Sequence, residues 1–581
     1  MRATAEAPPH AITLAAVLGS GSQLTDMLAF LASNQNPHGL THAVLAVPTD
    51  RHANLLAVLP GALRLQAGTD WPNSLPAGFH RLDIGGWVFT LCVGPVVHSV
   101  GEWCCAAQHL WVGGEWPWAH AQELASMART LARHCAPHAL LSLASDVPVS
   151  AANWTAAGFV PANAESGQTL WHYQPRWPVR THAGPGERTA LVIGAGLAGA
   201  ATCASLARRG WHITLLDSGS GPAQGASGLP VGMLSEHVTA SETTLSRLSR
   251  SGMALHWREL QRHVPQGQGW SASLVTNLRQ AGEEDEPVAG AEAVTPLESS
   301  QLTPVEAAIV RPAVLVEAWL AQARGTGRLQ ERWNSPVARL EQTPQGWHAV
   351  DRNGHVLAEA AHVVVAAAHG SAALLRELGS CLPSDATLRP VKGQLSFGRL
   401  TAEPLAPHPV RDHGVYVPCF EDSTHPCGGR LWAMGSTYER GQTDTTVTAE
   451  GHDRNAASLA STLPNAHALF AAQRAAGELQ GWAQVRCASQ DRLPLAGALP
   501  DASPLRASMQ LGDVPRLTGA WTLCAMGSRG LTLSMLGAEL LAAQMENEPW
   551  PVEKSLGLAL DPARFALKNT RKNTVKSPSS A

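Results

Sequence analysis

Lysine and charge are what this chain has least of. Charged residues make up 15% of its 581 residues, and the only lysines are Lys392, Lys554, Lys568, Lys572 and Lys576. With 42 lysines and arginines against 46 acids the net charge is -4, so the chain is no polycation. A nucleic-acid partner therefore has to be met by a local basic patch. Four of the five lysines fall after residue 550, beside Arg564 and Arg571. They read either as a solvated tail or as such a patch. The ten cysteines form no CxxC and no Cys/His set with zinc-ligand spacing. That sets metal and disulfide chemistry aside and reads as reduced, buried thiols in a cytoplasmic protein. The start, MRATAEAPPH, lacks the basic residues and apolar stretch of a signal peptide. One long apolar run, 189–207, is interrupted by Gly194, Gly196 and Gly199, which argues against a membrane span. What remains is a core-forming globular composition, 45% hydrophobic.

The first 171 residues alternate apolar strand-like stretches with helical patterns. AITLAAVL at 11–18 runs into Gly-Ser-Gly-Ser at 19–22, then a helix, then HAVLAVP at 42–48. That is the rhythm of an α/β unit. Gly19 and Gly21 can be a nucleotide-type loop or only a strand-to-helix turn. Residues 172–188 are rich in Pro, Gly and charge and read as a linker.

From Thr189 the signal strengthens. A short apolar strand, TALVI, leads into Gly194-Ala195-Gly196-Leu197-Ala198-Gly199, then a helix, then a strand ending at Asp217. This is GxGxxG in its proper setting. Gly194 permits the turn, Gly196 lets the backbone approach a pyrophosphate, and Gly199 lets the helix pack on the strand. The helix N-terminus offers amides to phosphate, and Asp217, followed by Ser218, can accept from ribose hydroxyls. Three later features choose FAD over NAD. They are the small-residue loop Gly225-Ala226-Ser227-Gly228, and a hairpin beginning at Val337 whose return strand ends in small residues at Ala367. The third is Gly527-Ser528-Arg529-Gly530-Leu531-Thr532 opening a C-terminal helix. Such a helix start suits the pyrimidine edge of a flavin, although an ordinary helix after a glycine turn reads the same way.

These residues carry a resemblance. GASG at 225–228, PVKGQLSF at 390–397, GSTYER at 435–440, VRCASQDRLPLAG at 485–497, GSRGLT at 527–532 and DPARF at 561–565 occur in order. From Thr189 to about Arg571 the chain resembles the D-amino-acid oxidase/glycine oxidase superfamily. Within it, the chain resembles most the oxidoreductase half of the MnmC family of tRNA-modifying enzymes. The resemblance implies an α/β fold of two parts. One is a shortened Rossmann-like, methyltransferase-type domain at 1–171. The other is an FAD domain at 189–565, with an FAD lobe (189–235, 311–380, 510–550) and an α+β substrate lobe (236–310, 385–500). A basic flexible tail follows at 566–581. It implies FAD as cofactor, tRNA as partner and no membrane. It also implies oxidative removal of the carboxymethyl group from 5-carboxymethylaminomethyl-(2-thio)uridine at the wobble position, leaving the 5-aminomethyl form. Arg486 would anchor the substrate carboxylate by a bidentate pair, and Arg529 is a second candidate, either for the carboxylate or for tRNA phosphate. A structural pair between Arg486 and Asp491 is the other reading.

The sequence also departs from the family. Residues Trp111 to Trp116 replace its acidic Asp-Gly-Phe motif, so use of S-adenosylmethionine and methyl transfer is expected to be lost. Met526 stands where the family has His, and Leu229-Pro230-Val231 alter the loop after GASG. A small-molecule glycine or amino-acid oxidase with an appended domain, and a non-catalytic tRNA-binding protein, are the alternatives.

The glycine loop yields a direct test. Gly196→Val is expected to block approach of the pyrophosphate and give colourless protein on purification. Stoichiometric FAD retained by that variant would refute the placement.

Overall fold

The computed structural model describes residues 11–19, 24–36, 39–65, 72–113, 121–144, 147, 151–162, 169–179, 184, 186–238, 241–278, 304–378, 387–422, 429–503 and 505–576. The chain divides into two compact units. One holds Met1–Gly186 with Ala542–Leu558, the other Glu187–Leu541 with Ala559–Ala581.

The first unit is built on an eight-stranded sheet. Its spatial order is Gly78–Ile84, Trp87–Val93, Thr41–Val47, Ile12–Leu18, Ala107–Gly113, Cys135–Leu143, Thr169–Tyr173, Phe159–Ala162. The five inner strands run parallel, and the strands at each end are antiparallel. Thr41–Val47 and Trp87–Val93 are buried at every position. That is expected of parallel strands covered on both faces. Two apolar clusters supply those covers, one around Trp103, Trp154 and Phe159, the other around Leu14, Met27 and Phe89.

Residues up to 550 were expected in the flavin lobe, yet the chain from Ala542 to Leu558 packs in this first unit. Trp550 N donates to Cys104 O at 3.0 Å and Lys554 N to Glu102 O at 2.8 Å. Buried Arg81 donates to Pro549 O at 2.9 Å and lies 3.4 Å from Glu548. A charge pair this buried is tolerated only because both groups are held by partners.

The second unit contains a six-stranded sheet in the order Leu329–Arg332, His212–Leu216, Thr189–Ile193, His362–Val365, Arg516–Cys524, Leu495–Pro500. All pairs are parallel except the last. Residues 495–500, expected in the substrate lobe, thus edge this sheet. The expected hairpin is part of a three-stranded meander, Arg339–Thr343, Gly346–Val350 and Val356–Ala360, which feeds the strand at 362. A nine-stranded sheet forms the other lobe. Its spine is the long strand Leu388–Arg399, paired with Arg430–Gly435 on one side and with Gln480–Ser489 on the other. The segment expected as a flexible tail is helical from Arg564 to Lys576. Its start is fixed by Arg564, which grips Asp491, while Arg516 holds Asp561.

The dinucleotide helix Leu197–Arg208 and the helix Gly530–Glu546 are joined through buried charge. Glu539 accepts from Arg208 at 2.8 Å, from Arg209 at 2.9 Å and from Ser205 Oγ at 2.5 Å. A buried carboxylate without such partners would cost several kcal/mol. The helix Thr244–His263 packs on the start of Gly530–Glu546, with Gly252 against Thr532 O. His256 Nδ1 lies 2.9 Å from Gly252 O, and His256 Nε2 accepts from Met535 N at 3.2 Å. With one ring nitrogen donating and one accepting, His256 is neutral.

Burial pushes the His256 pKa down to about 4 from its ordinary 6.5. His134 in the first unit is pushed to about 4 mainly by burial as well. Between those values the native chain binds fewer protons than the unfolded chain, so stability rises with pH there. Resistance to urea is therefore expected to fall as pH drops from about 6.5 to about 4, by up to roughly 3 kcal/mol per buried histidine. His256→Gln should flatten that slope for the second unit. An unchanged pH profile of unfolding would contradict the assignment.

Candidate active site

The glycine loop forms because nothing larger fits. Gly194 sits at φ +107°, and a Cβ there would lie 2.7 Å from Ala366 O. A Cβ on Gly199 would lie 1.7 Å from Gly194 O, so the helix approaches the strand more closely than alanine allows. Gly196 caps the helix without a side-chain bond. Instead Leu197 N donates to Ser227 Oγ at 2.9 Å, which ties the loop at 225–228 to the helix start. Asp217 is held by two backbone amides, Ala195 N and Gly219 N, each at 2.7 Å. Its ordering sets the carboxylate at the strand end and leaves lone pairs for a ribose.

The later residues expected at the cofactor converge on this loop. Ala367 Cα lies 2.9 Å from a Cβ placed on Gly194, and Ala367 and Val337 pack on the same apolar cluster. Leu197 Cδ1 is 3.0 Å from a Cβ placed on Gly530, which brings the 527–532 loop to the dinucleotide helix. Gly527, at φ +54°, donates its N–H to Cys487 O at 2.7 Å. Leu531 packs beside Gly232, and Thr532 O faces Gly252. Ser218, Gly225, Ala226 and Gly228 lie within the turns that connect these points. The set fits FAD: a helix start with no capping side chain on Gly196, a glycine surface and a pre-oriented carboxylate are what its phosphates and ribose require.

Arg486 lies on Gln480–Ser489, in register with Val391. Its guanidinium rests on Gly393, where a Cβ would come within 2.3 Å. It donates to Ser436 Oγ at 3.0 Å, Ser528 Oγ at 2.9 Å and Thr437 O at 2.6 Å. Its buried Nε has no hydrogen-bond partner among the described residues. Burial lowers its pKa, with Tyr438 acting in the opposite sense. Asp491 is not its counter-ion: that carboxylate is gripped by Arg564 at 2.8 and 2.9 Å. A half-buried guanidinium joined to the 527–532 loop through Ser528, and paired with no acid among the described residues, is suited to bind an anion.

Arg529 belongs to the same turn, its N–H donating to Met526 O at 2.9 Å. Its charge bears on His237, whose pKa is pushed down to about 4, by burial first and then by Arg529 and Arg411. Arg411 donates to Ser235 Oγ and, at 3.2 Å, to Asn277 Oδ1. Sequence reasoning did not find His237, Arg411, Ser436 or Tyr438. Only the last two carried a signal, inside the GSTYER segment, where they served as family markers and not as site residues. The departures from the family are accommodated by packing. Met526 Cε sits 3.7 Å from a Cβ placed on Gly537. Leu229 and Val231 join an apolar cluster with Phe397 and Val417.

In the first unit, Gly19 N donates to Gly113 O at 3.0 Å at the ends of two parallel strands. Gly21 and residues 114–116 lie outside the described residues. The Trp111 ring lies against Gly113, with Cη2 2.2 Å from where a Cβ would stand. Among the described residues there is no cluster of metal-ligating side chains, and no helix is long and apolar enough to cross a membrane.

The profile of the family described as "FAD dependent oxidoreductase" matches residues 189–544. A protein of Paracidovorax citrulli named tRNA 5-methylaminomethyl-2-thiouridine biosynthesis bifunctional protein MnmC is 41% identical over 427 residues, covering 68% of this chain and 62% of that protein. The protein of the same name from Albidiferax ferrireducens is 33% identical over 585 residues, covering 94% of this chain and 91% of that protein. Among solved structures, glycine oxidase from Geobacillus kaustophilus aligns at 20% identity with a TM-score of 0.47, covering 64% of this chain and 98% of that one. The chain belongs to the FAD dependent oxidoreductase family and, within it, to the MnmC family.

Proposed function

We propose that this chain removes the carboxymethyl group from 5-carboxymethylaminomethyl-(2-thio)uridine at the tRNA wobble position, leaving 5-aminomethyl-(2-thio)uridine. The observation that carries the reading is Arg486, a half-buried arginine whose buried Nε has no hydrogen-bond partner and which has no carboxylate partner among the described residues, bonded to the loop at 527–532. The names of the MnmC relatives support tRNA as the substrate class.

When bound, FAD would supply the two-electron acceptor for oxidation of the secondary amine to an imine, whose hydrolysis gives the primary amine and glyoxylate. The protein supplies position. Arg486 uses three of its five N–H donors on Ser436, Ser528 and Thr437. Nε–H and one further N–H remain to take a carboxylate side-on. Those fixed bonds hold the guanidinium plane, so the α-carbon beyond the carboxylate is aimed as well as bound. Arg529 adds positive charge to the same turn. Asp217, Ser227 and the glycine loop would hold the dinucleotide. A cytoplasmic location accords with a tRNA substrate.

The first unit is proposed as a platform without methyltransferase activity. Support comes from the Trp111 indole lying over Gly113, beside Gly19 at the strand ends, where a doubly wound sheet ordinarily binds its ligand.

Arg486→Ala is expected to keep FAD bound but slow flavin reduction by a carboxymethylamino substrate by about 100-fold or more, as expected for loss of charge-assisted bonds. Reduction at a near-normal rate would remove Arg486 from its role. Incubation with labelled S-adenosylmethionine and aminomethyl-tRNA is expected to give no methylated product. Robust transfer would restore the methyltransferase reading of residues 1–171.

A further inference from the structure

Tyr438 is one of three tyrosines in the chain. It follows the buried strand Arg430–Gly435, and its ring is 47% exposed although Thr437 beside it is buried. The backbone under it is fixed. Thr437 O accepts from Arg486, Gln394 N donates to Thr437 Oγ1 at 2.9 Å, and Thr437 Oγ1 donates to Glu439 at 2.8 Å. Just beyond, Gly441 N donates to Pro390 O at 2.9 Å, and buried Lys392 holds Asp444 at 2.6 Å. The side chain therefore stands on a fixed backbone and is about half exposed. Two guanidinium groups lie against it: that of Arg486 at 5.4 Å from its centroid, and that of exposed Arg440 at 5.8 Å.

We propose that Tyr438 is the stacking platform for a nucleobase flanking the modified uridine, with Arg440 on the adjoining phosphate. This deepens the tRNA reading and rests on it. The modified uridine is committed to Arg486 through its carboxylate arm. A ring in contact with that same guanidinium, and open outward, meets what comes next along the strand. Single-stranded RNA loops are recognised by bases stacked on aromatic rings and on arginine planes. Stacking accepts any base and so asks for no particular flanking sequence. A cation beside the ring adds the phosphate contact that a neutral pocket for a free amino acid does not need. In a chain with so little lysine, that cation is an arginine placed at the site mouth.

The test uses the full-length, FAD-loaded protein with two substrates, hypomodified tRNA and the free carboxymethylaminomethyluridine nucleoside. Tyr438→Leu is expected to raise KM for tRNA roughly 5- to 150-fold, with a smaller loss on the free nucleoside. Tyr438→Trp should restore tRNA binding. Arg440→Ala should lower the salt slope of tRNA binding by about 0.7, the value of one single-strand phosphate. Equal losses on both substrates would overturn the proposal and make Tyr438 a support for Arg486. So would a tryptophan variant as weak as the leucine one. Wild-type protein that oxidises the free nucleoside but not tRNA would overturn the tRNA reading beneath it, a result distinct from either.

Discussion

A half-buried guanidinium with no acid beside it among the described residues is the constraint around which the second unit is arranged. Desolvating a cation carries a large penalty unless hydrogen bonds replace its water. Arg486 is given three such bonds and a tyrosine ring, but no carboxylate among the described residues. Each requirement shapes a different element. The strand beneath it must carry glycine at 393, because no Cβ fits under the guanidinium. The turn after Arg430–Gly435 must bring Ser436 and the Thr437 carbonyl to it. The loop at 527–532 must bring Ser528. The acid that lies closest in sequence is kept away by Arg564, which occupies Asp491 with two bonds. The unsatisfied remainder of that guanidinium is what a substrate carboxylate would complete.

The same loop at 527–532 is where the two halves of the chemistry meet. Ser528 touches the arginine, while Gly530 touches Leu197 of the dinucleotide helix. The helix behind the loop is fixed by Glu539, whose carboxylate collects Ser205, Arg208 and Arg209. His256 holds its second turn from another direction, accepting from Met535 N. Charge is scarce in this chain and is concentrated at such joints. Placement at the level of tenths of an ångström is what amine oxidation by a bound cofactor asks of a protein.

Much of this was legible in the sequence where the signal is local. The strand, glycine loop, helix and Asp217 of the dinucleotide site follow from periodicity and glycine spacing. The meander ahead of the strand at 362 follows from alternation and turn residues. Arg486 was named from a motif, but its partners were not, because they come from 436, 437 and 528, joined only by tertiary packing. The reading that paired it with Asp491 failed for the same reason: the real partner of that acid is 73 residues away. Residues 542–558 look like a continuation of the flavin helix, and only contacts such as Arg81 with Pro549 and Trp550 with Cys104 assign them to the first unit. The helix at 564–576 was read as a tail because its composition is basic and Ser-flanked. Composition does not register that Arg564 and Asp561 anchor its start.

The most direct measurement is a single-turnover reaction of the purified flavoprotein with tRNA carrying 5-carboxymethylaminomethyl-(2-thio)uridine. Nucleoside composition and glyoxylate would be followed together. The carboxymethyl group should disappear from the wobble base one-for-one with flavin reduced and glyoxylate released, leaving the 5-aminomethyl nucleoside. Unchanged tRNA nucleosides, with the flavin still reduced by free glycine or sarcosine, would contradict it and leave a small-molecule amine oxidase in its place.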